Sequence, residues 1–184
     1  MENQTQRDSS NNSQEEEHIK TLEGKEALEK MKHIATTAET CFFCTSIKTG
    51  SPLSVRPMSV LQVDDEGNLW FMSMRNSAKN KEIEADPFTH LFFQESKYAG
   101  FLNIYGIAEI STDQQKIDEL WTPLLKVWFQ GGKVDNDITL LKVVPTSVYY
   151  WDNKHGTTIA FAKMALSIVT GKTMDDSIEG NLDF

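Results

Sequence analysis

The chain has 184 residues and a formal net charge of −9 at pH 7, so it lacks the basic surface that binds nucleic acid or an anionic membrane without sequence preference. Its length suits one well-cored domain with a tail. No apolar run approaches the roughly 20 residues that span a bilayer, and the polar N-terminus has no signal-peptide core. We therefore expect a cytoplasmic protein.

The first 21 residues contain no aromatic side chain and are dense in Asn, Gln, Ser and Glu. Such a segment cannot bury a core, so residues 1–21 are predicted to form a disordered or loosely attached acidic tail. Glu23–Thr37 follows, with Leu28, Met31 and Ile34 at helical spacing. This periodicity predicts an amphipathic helix.

Thr40–Lys48 is rich in aromatic and β-branched residues and is predicted to be the first strand. It carries Cys41 and Cys44, a spacing that would indicate a redox pair at a helix start. On a strand, residues three apart face opposite ways and lie about 10 Å apart, whereas a disulfide needs Cα atoms within about 7 Å. We interpret both as structural thiols. No second pair of cysteines is available to complete a zinc site, so no metal is expected.

The next stretch is predicted to be a hairpin in which Leu53–Val63 and Leu69–Met74 flank a turn at Asp64–Asn68. Alternation places Arg56 on the face opposite Leu53, near the open end of the hairpin. The loop after the second strand is rich in Ser, Asn and Lys. Together they offer a guanidinium, an ammonium, hydroxyls and the free N–H groups of a helix start, which suit a phosphate monoester. The alternative is an exposed strand arginine and a surface helix with Ser77 as its N-cap.

A short helix is predicted at Ala78–Ala85, ended by Asp86-Pro87. Phe88–Gln94 and Phe101–Ile110 are predicted strands, and Gly106 in the second indicates a bulge or a close backbone approach. His90 stands without a cluster of other ligands, so we interpret it as a structural residue.

A helix is predicted from Ser111, with Gln114 at capping-box spacing and a break at Pro123. Two further strands, Asp137–Val144 and Thr146–Asp152, are predicted on either side of Pro145. Ile159–Val169 fits either a helix or an extended arm. Hairpins without alternating βαβ units favour a mainly β protein with peripheral helices, built on an antiparallel sheet and most economically a small closed barrel.

The ordered segments RPM, DDEGNLWFMS, NSAKNKEI, ADPFTHLFF, YGIAEI, ELWTPLLKVWFQGG and VYYWD together resemble the FMN-binding split-barrel family, within the general-stress-protein branch of the pyridoxamine 5′-phosphate oxidase-like superfamily. The resemblance implies a six-stranded antiparallel split β-barrel over residues 22–152, followed by a C-terminal extension over residues 153–184. It also implies a homodimer with FMN at the interface.

The resemblance assigns roles to single residues. The phosphate would be held by Arg56, by Ser73 at the end of the second strand, and by Ser77 and Lys79 of the phosphate loop. The backbone of Pro57 and Met58 would border the isoalloxazine, and Met72 matches the cofactor-binding position before Ser73 at the end of the second strand. The family also places the segment around Trp128 over the partner subunit's flavin, so we hypothesise that Trp128 reaches across the dimer.

The sequence departs from the family pattern in ways that bear on activity. No arginine follows Trp151, although true pyridoxamine phosphate oxidases hold their substrate with a C-terminal arginine and histidine, so that activity is not expected. Ala78 stands where the family often has arginine. The expected function is an FMN-dependent oxidoreductase with a general stress role, an unknown substrate and no assigned catalytic residue. The alternatives are a non-catalytic flavin carrier or sensor and, less favoured, a haem-binding split barrel.

Overall fold

The computed structural model describes residues 18–48, 52–95, 100–133, 136–153 and 177–184. The predictions for residues 1–17 and for Ile159–Val169 lie outside them. The helices are α1 (Gly24–Ala38), α2 (Ala78–Ala85) and α3 (Gln114–Leu120), with a 3₁₀ segment at Pro123–Val127. The strands are β1 (Leu22–Glu23), β2 (Thr40–Thr45), β3 (Ser54–Ser59), β4 (Gln62–Val63), β5 (Leu69–Met74), β6 (Phe88–Gln94), β7 (Phe101–Ser111), β8 (Ile138–Asn153) and β9 (Ser177–Asp183).

The strands form one sheet in the order β1-β9-β8-β7-β6-β2-β3, and β5 pairs with both β4 and β8. Neighbours run antiparallel except for β1 and β9, which are parallel. The first half of β8 pairs with β5 and its second half with β9. The described residues are therefore mostly strands, with helices at the periphery.

The sheet curls almost into a barrel but opens between β3 and β4. Ser54–Ser59 pairs with β2, whereas Gln62–Val63 pairs with β5. If β3 and β4 are counted as one interrupted strand, six strands follow each other around the barrel: β2, β3/β4, β5, β8, β7 and β6. The predicted antiparallel split barrel is confirmed. The closed barrel and the single strand Leu53–Val63 are wrong, because the chain changes partner at Val60 and Leu61.

β8 is one continuous strand, and the prediction of two strands separated by Pro145 is wrong. Pro145 lies within it, opposite Gly106, where the register between β7 and β8 shifts. Pro145 has no N–H to donate, and within the described residues neither β5, whose ladder ends at Val143, nor β9, whose ladder begins at Tyr149, pairs with β8 at that position. The predicted bulge at Gly106 is confirmed. A Cβ at Gly106 would lie 2.6 Å from the Val144 carbonyl oxygen, which explains the glycine.

The helix α1 packs its apolar stripe against the barrel, burying Ala27, Met31, Ile34 and Ala35, as its spacing predicts. The N-cap of α3 is Asp113, whose carboxylate accepts from the Gln115 and Lys116 N–H groups, rather than the predicted Ser111. A carboxylate at the N-cap also interacts favourably with the positive end of the helix dipole. The predicted break at Pro123 is confirmed, with Pro123 opening the 3₁₀ segment.

Part of the predicted N-terminal tail belongs to the sheet. The Lys20 N–H donates to the Glu179 carbonyl at 2.7 Å, and the Tyr150 hydroxyl donates to the Lys20 carbonyl at 2.9 Å. Leu22 in β1 is 3% exposed. Residues 18–23 therefore pack along β9, which the sequence did not predict. Within the described parts of the chain, no helix is long and apolar enough to cross a membrane.

Candidate functional site

A cavity of about 460 Å³ opens where β3, the end of β5, the start of α2 and the 3₁₀ segment meet. Its polar lining includes Arg56, Ser73 and Lys79. Its apolar lining includes Met58, Leu61, Met72, Leu125, Trp128 and Phe129. Cationic and aromatic side chains thus share one concave site.

Arg56 reaches the cavity because alternate residues of β3 point inward. Arg56 and Met58 are partly buried, whereas Val55, Pro57 and Ser59 are exposed. The Arg56 guanidinium is fixed by two neighbours. Its Nη2 donates to Glu82 Oε2 at 2.7 Å, and its Nη1 donates to Thr45 Oγ1 at 2.7 Å.

Glu82 completes this arrangement from α2. Thr45, which is fully buried on β2, donates its hydroxyl to Glu82 Oε2. Partial burial opposes ionisation of Glu82, but hydrogen bonds from Thr45, Arg56 and Ser54 and the charge of Arg56 outweigh it, so the pKa of Glu82 is lowered. Glu82 is therefore ionised at neutral pH and forms a charge-assisted pair with Arg56.

Lys79 lies in the first turn of α2 and is half-buried. Burial and the nearby charge of Arg56 lower its pKa, and the charge of Glu82 opposes this. Two cations in one partly dehydrated site repel each other. An anion bound between them would relieve this repulsion.

A buried polar cluster holds the start of α2 against β5 and β8. The Ser73 hydroxyl donates to Asn80 Oδ1 at 2.6 Å, and the Asn80 amide donates to Thr139 Oγ1 at 2.9 Å. Ser77 accepts from the Asn80 backbone N–H, so it is the N-cap of α2 as the alternative interpretation predicted. Its hydroxyl also bonds to Ser73 and Asn80.

These bonds limit what the two serines can do for a ligand. Ser73 lines the cavity but is 1% exposed and gives its hydroxyl proton to Asn80. Ser77 is not among the residues that line the cavity. Both serine hydroxyls therefore stabilise the start of α2. Arg56 and Lys79 are the charged donors that face the cavity.

Trp128 follows the 3₁₀ segment and is 75% exposed, whereas Phe129 beside it is buried. Both N–H groups donate to the Leu125 carbonyl, which fixes the turn. Trp121 is half-buried and packs edge-on against Phe129, as expected for a core residue. Trp128 lines the cavity of its own chain, and its contact with a partner subunit remains a prediction.

The structure brings seven of the eight predicted residues to one cavity, with Ser77 directly behind it. Sequence reasoning missed Thr45, Asn80 and Glu82. One signal for Glu82 was available, because Lys79 and Glu82 are three apart on α2 and therefore share a face. Nothing local pointed to Thr45, which reaches the site through strand pairing.

The other candidate residues lie outside the cavity. Cys41 and Cys44 are free and buried, and burial raises the pKa of both, so neither is a reactive thiolate. This agrees with structural thiols. His90 packs against the rings of Phe92 and Tyr105. No group of three or more candidate metal ligands occurs in the described part of the chain.

The chain matches a known protein family over most of its length. Residues 26–175 match the protein family described as pyridoxamine 5′-phosphate oxidase like. No curated protein matches the chain significantly.

Solved structures show the same fold. The chain is similar to a protein from Jannaschia sp. CCS1 described as a general stress protein 26, with 24% identity, a TM-score of 0.69, and 86% of this chain and 96% of that chain covered. The general stress protein 26 of Bacillus anthracis str. Sterne has 24% identity and a TM-score of 0.59, with 67% and 92% covered. The general stress FMN/FAD binding protein of Xanthomonas citri has 24% identity and a TM-score of 0.60, with 70% and 90% covered.

Proposed function

Because the chain belongs to the pyridoxamine 5′-phosphate oxidase-like family, we propose that it binds FMN in the cavity described above and acts as an FMN-dependent oxidoreductase with a general stress role. One observation carries the proposal. Arg56 and Lys79 line the same cavity as Met58, Leu125 and Trp128. A phosphate suits the two cations, and a flat apolar ring system suits the remaining lining.

The residues present fit this cofactor. The cavity volume of about 460 Å³ lies within the range of roughly 300–1,000 Å³ typical of small-molecule sites. Arg56 and Lys79 would hold the phosphate, the β3 backbone at Pro57 and Met58 would border the ring, and Trp128 would cover it. FMN, when bound, supplies the redox chemistry, and this chain supplies binding, orientation and exclusion of water. The solved FMN/FAD binding protein of Xanthomonas citri supports a flavin in this fold.

The proposal includes a homodimer, which is supported by an apolar outer face on the sheet. Phe42, Phe92, Phe101 and Trp151 lie on neighbouring strands and share one face by register, and they are 38–57% exposed. Val55 continues the face onto β3, next to Arg56. A contiguous apolar face of this kind is typical of a protein contact. A second copy of the chain is the partner that the family suggests.

A non-catalytic flavin carrier or sensor is the second candidate function. The described residues that line the cavity include no histidine, aspartate or glutamate to act as a general acid or base. Flavin redox chemistry does not require one, so this observation is compatible with both functions.

The visible absorption spectrum of the purified protein tests the cofactor, since flavin, deazaflavin and haem differ in it. NAD(P)H oxidation by the FMN-loaded protein then separates the two functions. Turnover above that of free FMN supports the oxidoreductase, and stoichiometric binding without turnover supports the carrier. A haem spectrum, or no chromophore and no uptake of added FMN, would overturn the proposal.

A further inference from the structure

We infer that Glu82 is a positioning residue that holds Arg56 aimed into the cavity and thereby sets how tightly the site binds a phosphate group. The inference deepens the proposed function and rests on it. It concerns a residue that does not itself line the cavity.

The geometry around Arg56 is a closed triangle of hydrogen bonds. Arg56 donates to Thr45 and to Glu82, and Thr45 donates to the same carboxylate oxygen that Arg56 contacts. The three side chains come from β3, β2 and α2. A long arginine side chain facing an open cavity would otherwise sample many rotamers, and the hydrogen bonds to Thr45 and Glu82 favour the observed one.

The triangle leaves Arg56 able to bind a ligand. A guanidinium has five N–H donors, and one from each Nη is used here. The remaining donors suffice for the two-oxygen contact that arginine makes with phosphate. Only two of the five N–H donors therefore hold the guanidinium in place, as expected if these bonds serve to orient it.

Burial distinguishes the Arg56–Glu82 pair from an ordinary surface ion pair. The side chains of Arg56 and Glu82 are each 24% exposed, and Thr45 is fully buried. An exposed pair would rearrange freely and contribute little. This pair is anchored by a buried hydroxyl and lies beside the half-buried cation Lys79, whose charge Glu82 also favours.

A carboxylate near a phosphate has an opposing effect, since it repels the ligand. The two effects have opposite signs and are separable by mutation. Positioning predicts that Glu82→Ala lowers affinity for FMN, and repulsion predicts that it raises it. Glu82→Gln keeps an acceptor for Arg56 without the charge.

The experiment measures dissociation constants for FMN and for riboflavin, which lacks the phosphate, in wild type, Glu82→Ala and Glu82→Gln. Glu84→Ala is the matched control, because Glu84 is an exposed carboxylate on the same helix. We expect Glu82→Ala to weaken FMN binding about tenfold and leave riboflavin binding unchanged, since a less ordered Arg56 loses part of its charge-assisted contact with the phosphate. Glu82→Gln should lie between wild type and Glu82→Ala, and Glu84→Ala should match wild type.

Other results overturn the inference. Tighter FMN binding in both Glu82 variants would make Glu82 a repulsive residue. Equal weakening for FMN and riboflavin, with a lower melting temperature, would make it a purely structural one.

A readout on the free protein does not depend on flavin. The nitrogen-attached protons of Arg56 should give separate NMR signals in wild type, where rotation of the guanidinium is restricted, and an averaged signal in Glu82→Ala. Identical Arg56 signals in the two proteins would overturn the inference. If wild type binds neither flavin, the proposed function fails, and this measurement alone decides whether Glu82 holds Arg56.

Discussion

Arg56 on β3 and Lys79 in the first turn of α2 line one cavity, where burial and the charge of Arg56 together lower the pKa of Lys79. Strand pairing and the helix start bring the two cations close, and Glu82 offsets only part of their charge. The charge of the site therefore suits an anion with more than one negative oxygen.

Removing either cation should weaken FMN binding. Arg56→Ala and Lys79→Ala are each expected to cost roughly 1.5–3 kcal/mol of binding free energy, because each removes a charge-assisted hydrogen bond to phosphate. Fluorescence titration of FMN measures the change. Lys81→Ala is the control, since Lys81 is exposed on the same helix and does not line the cavity. Unchanged FMN affinity in both cavity variants would refute a phosphate site there.

The affinity for FMN should first rise and then fall as the pH increases. The rise on the acid side, or acid limb, occurs as the phosphate takes its second charge at about pH 6. The affinity should fall on the alkaline side as Lys79 loses its proton, at a pH below the ordinary lysine value of 10.5 because the pKa of Lys79 is lowered. Riboflavin should lack the acid limb, and Lys79→Arg should move the alkaline fall to higher pH. An alkaline fall at the same pH in Lys79→Arg would show that another group titrates.

Trp128 should contact the bound flavin. Trp128→Ala is expected to lower FMN affinity, with roughly 0.5–1.5 kcal/mol from ring contact beyond the area buried, and to raise the fluorescence of bound flavin by removing a quenching indole. Leu124→Ala is the control, because Leu124 is 76% exposed in the same segment and does not line the cavity. Equal flavin fluorescence and affinity in the two variants would place Trp128 away from the ring.

Mixed dimers decide whether Trp128 serves its own subunit or the partner. A dimer with one Arg56→Ala subunit and one Trp128→Ala subunit keeps one intact site if Trp128 acts across the interface. If Trp128 acts within its own chain, both sites carry one defect. The hypothesis that Trp128 reaches across the dimer predicts one FMN bound with wild-type affinity per mixed dimer, whereas the position of Trp128 in the cavity of its own chain predicts two weakened sites. Two weakened sites would exclude the contact across the interface.

Asp64 should stabilise the fold in a pH-dependent way. Its burial opposes ionisation, but hydrogen bonds from Trp70, Asn68 and Glu66 outweigh this and lower its pKa. The stabilisation is therefore complete above the unfolded pKa, near 3.8, and is lost as the pH falls through the folded value. Asp64→Asn should lower the free energy of unfolding by about 1–3 kcal/mol at pH 7.

The difference between wild type and Asp64→Asn should shrink in urea unfolding at pH 3. The control is Asp65→Asn, which removes an exposed ion pair with Lys32 worth at most about 1 kcal/mol. A gap between wild type and Asp64→Asn that stays constant with pH would show that the ionised carboxylate is not the stabilising form.

Truncation should separate the acidic tail from the segment that packs on β9. Composition predicts that deletion of residues 1–17 leaves folding and FMN binding unchanged. Deletion of residues 1–23 also removes the Lys20 hydrogen bonds and buried Leu22, and should cost at least about 2 kcal/mol of unfolding free energy. Thermal or urea unfolding measures both. Equal stability of the two truncated proteins would show that the Lys20 and Leu22 contacts contribute nothing.

Local signals predicted much of the fold. Asp86-Pro87 marks the end of α2, and the predicted bounds of α2, β5 and β6 are those observed. Features that depend on distant partners were missed. Pro145 reads locally as a strand break, but among the described residues neither β5 nor β9 pairs with β8 at Pro145, and the strand continues through it. The pairing of residues 18–23 with β9 has no local signal.

The candidate site likewise contains residues that the sequence predicts and residues that only the fold brings together. Arg56, Lys79 and Trp128 were predictable because their residue types carry the expected chemistry in the expected order. Glu82 looked like a helix surface residue until the pairing of β2 with β3 placed Thr45 beside it. Ser73 and Ser77 were assigned to the phosphate because they match the family's phosphate-binding positions, whereas both hydroxyls bond to the buried amide of Asn80.

The central claim is that this cavity recognises a flavin through its phosphate, and calorimetric titration of the wild-type protein with FMN and with riboflavin tests it most directly. Two charge-assisted contacts predict binding of about one FMN per chain, at least roughly a hundredfold tighter than riboflavin. Equal affinity for the two flavins, or no saturable binding of either, would contradict the claim.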